Sequence, residues 1–469
     1  MTKKTKIIST IGPSSNHPQI ISRMIKKGMN VARLNMAHLK NEDDVKNIIN
    51  IIREESVKLN NYVGILMDIS GPKIRTDLSS LQEDKINIIK GHIYTLGFSK
   101  MNDIPLSMDI DFKSNRNPIN SFVKIDDGKI NFKIISISNN IIKVKATSDC
   151  IINPDKGVNF PGVELKIPSL TKKDIKDISL GIKYGIDWFA LSFVRSPRDI
   201  QDFNEINKGK NRIPVIAKIE KPEAIDNLEK IIKIFDGILI ARGDLGVELP
   251  IYKLPILQKN IITKCKELNK PVIVATQILE SMISSSLPTR AEVNDVANSV
   301  YENVDAVMLS GETAVGNFPV ETVKMMNDII VNVENENLKF DKIDFNYKQD
   351  SKYAIGKAVN TVSKNLKVDA IVVMTESGST AKIVSFFRPK INIYALSPHL
   401  NVCNRLSLLW GVIPIKSQEY LSTDEMLINA EQILLDNKFI KSGQTFVMTA
   451  GVPVGISGST NMFRIQEVD

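Results

Sequence analysis

Eight short apolar runs punctuate the chain, and each ends in polar or glycine-containing residues. They are Lys6–Pro13, Asn30–His38, Val63–Pro72, Trp188–Arg195, Pro214–Glu220, Gly237–Gly246, Pro271–Gln277 and Ala306–Glu312. Helix-period stretches separate most of them. In Gln19–Gly28, Ile20, Ile21, Met24 and Ile25 fall at helical spacing ahead of a terminal glycine. Near-continuous apolar strands alternating with helices predict buried parallel β-structure. About eight such units predict a closed (β/α)8 TIM barrel, with the polar strand ends gathered at its C-terminal mouth.

The third and fourth runs are separated by a long stretch of different character. It opens at Gly71-Pro72 and closes near Pro161-Gly162 and Pro168. Within it Lys129–Ser138 and Ile141–Thr147 flank Asn139-Asn140, a hairpin signal. This predicts an inserted all-β domain, a small β-barrel able to hinge over the mouth as a lid. After about residue 341 the pattern restarts. Strands are expected at Ala370–Met374, Ile391–Leu396, Gly411–Ile415, Thr445–Thr449 and Asn461–Ile465, with a helix from Ala381. The expected division is 1–70 with 169–341 for the barrel, 71–168 for the insert, and 342–469 for a C-terminal α/β sandwich.

Composition narrows the class. The chain has 469 residues, of which 43% are hydrophobic and 24% charged, an ordinary globular balance rather than a disordered one. No run of about 18 uncharged apolar residues occurs, so no membrane span is expected. No apolar segment follows the basic N-terminus, so no signal peptide is expected. Cys150, Cys265 and Cys403 lie far apart without ligand spacing, which excludes a disulfide scaffold or zinc finger and suits a cytoplasmic location. A net charge of +8 admits nucleic acid, a membrane surface or an acidic small substrate. The lysines, however, are scattered among Asn and Ile, with no arginine-rich stripe interleaved with aromatics, so drift in composition outweighs nucleic-acid binding.

The strand ends carry the candidate chemistry. Lys218 and Glu220 point the same way from one strand, which suits an oxyanion clamp beside a metal ligand and equally a local ion pair. In Arg242–Gly246, Asp244 offers a second hard oxygen to Mg²⁺, and the glycines allow close backbone approach; a turn with an Asp cap fits as well. Arg33 suits a phosphate through its planar fork. Asn35, Asp68, Ser70, Thr276-Gln277 and Ser310–Glu312 end other runs. Each is weak singly, and their joint placement points to an active site.

Taken together these segments resemble the pyruvate kinase family, in its bacterial form without an N-terminal extension. The match runs through Thr10–Pro13, Arg33–Asn35, Gly71-Pro72 with Ile74–Thr76, Asp126–Gly128, Lys218–Glu220, Ala241–Gly246, Ala275–Met282, Pro288–Glu292, Asp305–Ala314, Ser377–Thr380 and Gly455–Asn461. The resemblance implies phosphoryl transfer from phosphoenolpyruvate to ADP, giving pyruvate and ATP. By position it implies that Glu220 and Asp244 bind Mg²⁺ or Mn²⁺, and that Lys218 stabilises the phosphoryl group and the enolate. Arg33 would hold the phosphate. Gly243, Asp244 and Thr276 would hold the substrate carboxylate, with Thr276 associated with enolate protonation through water. Asn35, His38 and Arg75 match positions near the nucleotide. The resemblance also implies a homotetramer and a C-terminal effector and assembly domain.

One departure bears on the monovalent cation. Potassium-dependent members read Asn-Phe-Ser-His and Asp-Thr-Lys-Gly-Pro-Glu, where this chain reads Asn35-Met36-Ala37-His38 and Asp68-Ile69-Ser70-Gly71-Pro72-Lys73. Ala37 deletes a hydroxyl ligand and Lys73 reverses a charge. Asn35 and Asp68 remain as candidate K⁺ ligands, but the expectation is that the Lys73 ammonium substitutes for the ion. The loop Thr375, Glu376, Ser377, Gly378, Ser379 and Thr380 opens a helix and suits an anion, in relatives the phosphate of a sugar phosphate; AMP is the other candidate effector, and simple helix capping is the alternative. The rival activities are a Mg²⁺-dependent carbon–carbon lyase on a similar barrel, which needs neither insert nor C-terminal domain, and a catalytically silent effector-binding scaffold.

Overall fold

The computed structural model describes residues 3–39, 41–79, 85–111, 119, 121–138, 140–163, 165–209, 212–336, 350–453 and 460–468. Asn139 of the expected hairpin, Gly455–Ser459 of the C-terminal motif and the expected boundary at 341/342 lie outside them.

Strands Lys6–Ile11, Val31–Asn35, Gly64–Ile69, Trp188–Leu191, Val215–Ile219, Gly237–Ala241, Val272–Ala275 and Ala306–Leu309 close into a parallel barrel in chain order. The last returns to the first in the register Lys6↔Ala306 to Ser9↔Leu309. Each expected run therefore contains one barrel strand. Every strand is shorter than its run because the polar tail leaves the ladder. The sixth run divides at Ala241: Arg242–Glu248 is already a helix, so the glycine-containing segment is a helical first turn rather than a strand end.

Strand side chains alternate between two apolar layers. Ile8, Val31, Leu66, Ile216, Leu239 and Ile273 fill the barrel interior. Ile7, Ala32, Ile65, Phe189, Val215 and Ile238 face the surrounding helices. Two of those helices start with reciprocal caps, Thr171 with Asp174 and Thr289 with Glu292. Asp174 also accepts from Gly71 N at 3.1 Å, pinning the point where the chain leaves the barrel.

The segment after Gly64–Ile69 forms a six-stranded sheet in the order Val158–Asn159, Phe122–Ile125, Ile130–Ser138, Ile141–Ala146, Ile93–Gly97, Ile104–Pro105, with Ile86–Ile88 and Cys150–Ile152 as a separate pair. It packs around its own apolar cluster, including Phe132, Ile134 and Val144. The C-terminal sheet has the order Val412–Lys416, Ile393–Ser397, Ala370–Met374, Thr445–Gly451, Thr460–Glu467, the last strand antiparallel. Apolar clusters cover both its faces. The helix expected from Ala381 starts at Ser379, because Gly378 at φ +86° makes the turn that precedes it. Among the described residues no helix is long and apolar enough to cross a membrane.

The C-terminal part also closes the bottom of the barrel. Leu408 is fully buried within the interior cluster. Around it, Trp188 Nε1 donates to Arg405 O at 3.1 Å, Lys6 Nζ to Val412 O at 2.7 Å, and Gly64 N to Ser407 Oγ at 2.9 Å. All three barrel residues start their strands. A Cβ on Gly64 would lie 2.8 Å from Ser407 Oγ and 2.9 Å from the Asn404 carbonyl. Gly64→Ala is therefore expected to cost about 1–3 kcal/mol by overpacking and to lower the thermal midpoint; an unchanged midpoint would contradict this fit.

Candidate active site

An apolar barrel strand can present a polar side chain only where the interior opens, and here the functional groups sit at the C-terminal strand ends. Lys218, one residue before the end of Val215–Ile219, is 8% exposed. Its ammonium lies 2.9 Å from Glu220 Oε1 and 3.2 Å from Asp68 Oδ1, and donates to Ser192 Oγ at 2.8 Å. Burial disfavours the ammonium, but Asp68 and Glu220 outweigh it and raise its pKa above the usual lysine range. Asp68 also receives Arg33, through Nε at 2.8 Å and NH2 at 2.7 Å. Arg33 NH1 donates to Thr10 Oγ1 at 2.9 Å. Burial works against the Asp68 carboxylate, yet Lys218 and Arg33 hold its pKa below the ordinary value. One carboxylate thus fixes two cations side by side.

Glu220 is fixed from the other side. Phe193 N donates to its Oε2 at 2.8 Å, and Phe193 adopts φ +56° to do so. Burial, then the neighbouring Asp244 carboxylate, raises the Glu220 pKa despite Lys218. Asp244 stands in the first turn of Arg242–Glu248 and pairs with Lys73 Nζ at 3.3 Å. Burial works against its charge as well, but Lys73 foremost and Lys218 next hold its pKa down. Burial beside Asp244 pushes Glu220 up and the adjacent Lys73 pulls Asp244 down, so the two carboxylates differ in acidity.

Thr276 sits just past Val272–Ala275 at φ +69°, followed by Gln277 at +53°. A left-handed backbone is costly for a β-branched residue. Arg242 holds it there, donating to Thr276 O at 2.9 Å and Gln277 O at 3.0 Å while pairing with Asp295 at 2.7 Å. The Thr276 hydroxyl accepts from Gly243 N at 2.7 Å and donates to Ala275 O at 2.6 Å. Glu312 receives Ser310 N at 2.7 Å and Leu279 N at 3.3 Å, so this strand end is tied into local backbone.

A cavity of about 540 Å³ brings together Arg33, Asn35, His38, Asp68, Lys73, Arg75, Lys218, Glu220 and Asp244. Ala37 is also in its wall; Gly243 and Thr276, which pack against each other, are not among the wall residues. Asn35 Oδ1 accepts from Ala37 N at 3.2 Å, and Arg75 NH1 donates to Asp155 O at 2.7 Å. The remote loop differs in kind. Thr375 Oγ1 accepts from Gly378 N at 2.9 Å, and the buried Thr380 hydroxyl bonds Thr460 Oγ1 at 2.6 Å, whereas Ser377 Oγ reaches Ser379 Oγ at 3.3 Å in the open. Sequence reasoning did not single out Ser192, Phe193 or Lys173, all in the cavity wall. Ser192 directly follows the strand Trp188–Leu191 inside the fourth run and was legible as its first polar residue. Phe193 acts through its backbone, and Lys173 lies inside a helix, so neither gave such a signal.

Among the described residues no group of three or more His, Cys, Asp or Glu side chains converges as a metal cage. Two carboxylates in a cavity that also holds Arg33, Lys73, Arg75 and Lys218 fit a hard ion that keeps waters and takes its remaining ligands from a substrate.

Comparisons with known proteins place the whole chain in one family. The family model for the pyruvate kinase barrel domain matches residues 2–323, and that for the pyruvate kinase alpha/beta domain matches residues 353–466. A pyruvate kinase of Staphylococcus saprophyticus is 39% identical over 99% of this chain and 80% of its own length, and one of Staphylococcus aureus is 40% identical over the same shares. A crystal structure of a pyruvate kinase from Cryptosporidium parvum superimposes with a TM-score of 0.91 at 32% identity, covering 100% of this chain and 96% of that one. Two family models that together run nearly end to end, with relatives aligned over the same length, place this chain in the pyruvate kinase family.

Proposed function

We propose that the mouth divides the pyruvate kinase reaction, phosphoryl transfer from phosphoenolpyruvate to ADP giving pyruvate and ATP, among the residues just described. The observation that carries the reading is Lys218, buried between Asp68 and Glu220 with Arg33 on the same Asp68. In the reaction the bond from phosphorus to the enol oxygen breaks and a bond to a terminal ADP oxygen forms. The enolate left behind takes a proton at C3. Charge therefore moves between oxygens, and positioned cations are what the chemistry requires. Arg33 would hold the phosphoryl group, and Lys218 would stabilise it in flight and the enolate afterwards. Gly243, Asp244 and Thr276 would receive the substrate carboxylate, Thr276 standing next to the protonation step. Asn35, His38 and Arg75, together with Lys173, would hold the nucleotide phosphates.

Glu220 and Asp244 would hold Mg²⁺ or Mn²⁺. Once bound, the ion supplies further neutralisation of the oxygens that gain charge. Asn35 and Asp68 are poor K⁺ ligands here. Both Asp68 oxygens already meet cations, Asn35 Oδ1 already accepts from Ala37 N, and Lys73 brings an ammonium into the same cavity. Free cysteines and the catalysed reaction suit the cytoplasm. The insert, residues 71–168, would act as the lid over the barrel of 1–70 and 169–341. The C-terminal domain, 342–469, would carry effector binding and assembly into a homotetramer.

A coupled assay for pyruvate from phosphoenolpyruvate should require ADP and Mg²⁺, and Lys218→Met should lower kcat at least about a hundredfold; turnover that survives this substitution would overturn the assignment. Replacing K⁺ by tetramethylammonium should leave turnover within about twofold, since Lys73 already supplies the charge, and a collapse of turnover would refute the substitution. Calorimetric titration with sugar phosphates and AMP should give binding that Ser379→Glu abolishes, and sedimentation should show a species four chains in mass; no heat with any of these ligands, or a single-chain species, would contradict the effector and assembly readings respectively.

A further inference from the structure

Glu248 is a buried carboxylate that the reaction above does not use. It lies one turn after Asp244 on the helix Arg242–Glu248, and its side chain is 2% exposed. Its Oε1 accepts from Lys221 Nζ and, at 2.7 Å, from Asn159 Nδ2. Lys221 directly follows Glu220. Asn159 belongs to the inserted sheet, where it is the register partner of Lys124. Residues directly opposite in an antiparallel pair share a face. Lys124 uses that face to donate to Val247 O at 2.6 Å. Two neighbouring side chains of the insert thus grip consecutive residues at the end of the helix that carries Asp244.

The barrel side of this joint is equally specific. Lys221 lies 5.8 Å from the centre of the Phe193 ring, and Lys73 lies 5.9 Å from the same centre. Each of these lysines pairs with one carboxylate of the helix, Lys73 with Asp244 and Lys221 with Glu248. The same Phe193 donates its N–H to Glu220. If the insert swung away, Glu248 would lose Asn159 and keep only Lys221, and a buried carboxylate short of a partner is costly.

We propose that Glu248 is a positioning residue for phosphoryl transfer: docking of Asn159 and Lys124 onto Glu248 and Val247 fixes the helix of Asp244 and the strand end of Glu220 in one geometry. This rests on reading Glu220 and Asp244 as the divalent-ion carboxylates. Outer partners of metal-holding side chains typically tune affinity about 10–100-fold.

The test uses the full chain without added metal, then with Mn²⁺. Asn159→Ala with Lys124→Met should speed amide hydrogen exchange in both 122–132 and 242–248 while leaving exchange in the C-terminal sheet at wild-type rates. Unchanged exchange in 242–248 would overturn the proposal. Glu248→Gln should weaken Mn²⁺ binding about tenfold, whereas Lys221→Arg should retain it; wild-type affinity in Glu248→Gln would also overturn it. If Glu220→Gln leaves Mn²⁺ affinity unchanged, the metal-site reading fails instead, and the exchange result still decides whether the insert holds the helix.

Discussion

The site depends on one buried ammonium with two carboxylates to answer it. Lys218 sits in an apolar barrel, where an unpaired charge is prohibitively unfavourable. Asp68 and Glu220 make the charge tenable, one from within Gly64–Ile69 and the other just past Val215–Ile219. Each carboxylate then recruits a further partner: Asp68 brings Arg33, and Glu220 takes the Phe193 amide. The arrangement is a network in which every member is held by at least one other, the condition under which buried polar groups impose a single geometry. Chemistry that needs oriented charge rather than a covalent nucleophile is well served by such a network.

Much of the barrel was legible because its strands obey a simple rule. A strand buried on both faces is apolar until it leaves the sheet, so its first polar residues mark the mouth. Lys218, Glu220, Arg33 and Asp68 all follow that rule. The exact end of a strand was less legible. The run through Gly237–Gly246 reads as one unit, yet the chain turns helical at Arg242. That early start puts Asp244 and Glu248 on one helix a turn apart. Thr276 illustrates another limit: a β-branched residue argues against a left-handed backbone, yet Arg242, itself paired with Asp295, and Gly243 N hold it there. The loop Thr375–Thr380 is similarly mixed, since Thr380 is consumed by Thr460 while Ser377 and Ser379 meet each other nearer the surface.

Contacts that join separate parts of the chain were the least readable. Lys221, Glu248, Asn159 and Lys124 look like ordinary surface polar residues in one dimension. Their meaning appears only when the insert lies against the barrel rim. The same holds at the opposite end, where Leu408 completes the barrel interior from a domain far away in sequence. The barrel is thus bounded at both ends by other parts of the chain, a side-chain plug below and a polar joint above. The carbon–carbon lyase reading assigns no work to either.

The most direct test is anomalous diffraction from crystals soaked with Mn²⁺ and a planar dicarboxylate that mimics the enolate. The account predicts one strong metal peak bound by both Glu220 and Asp244, with the mimic between that ion and Lys218 Nζ. A metal peak away from both carboxylates, or a mimic out of reach of Lys218, would contradict it.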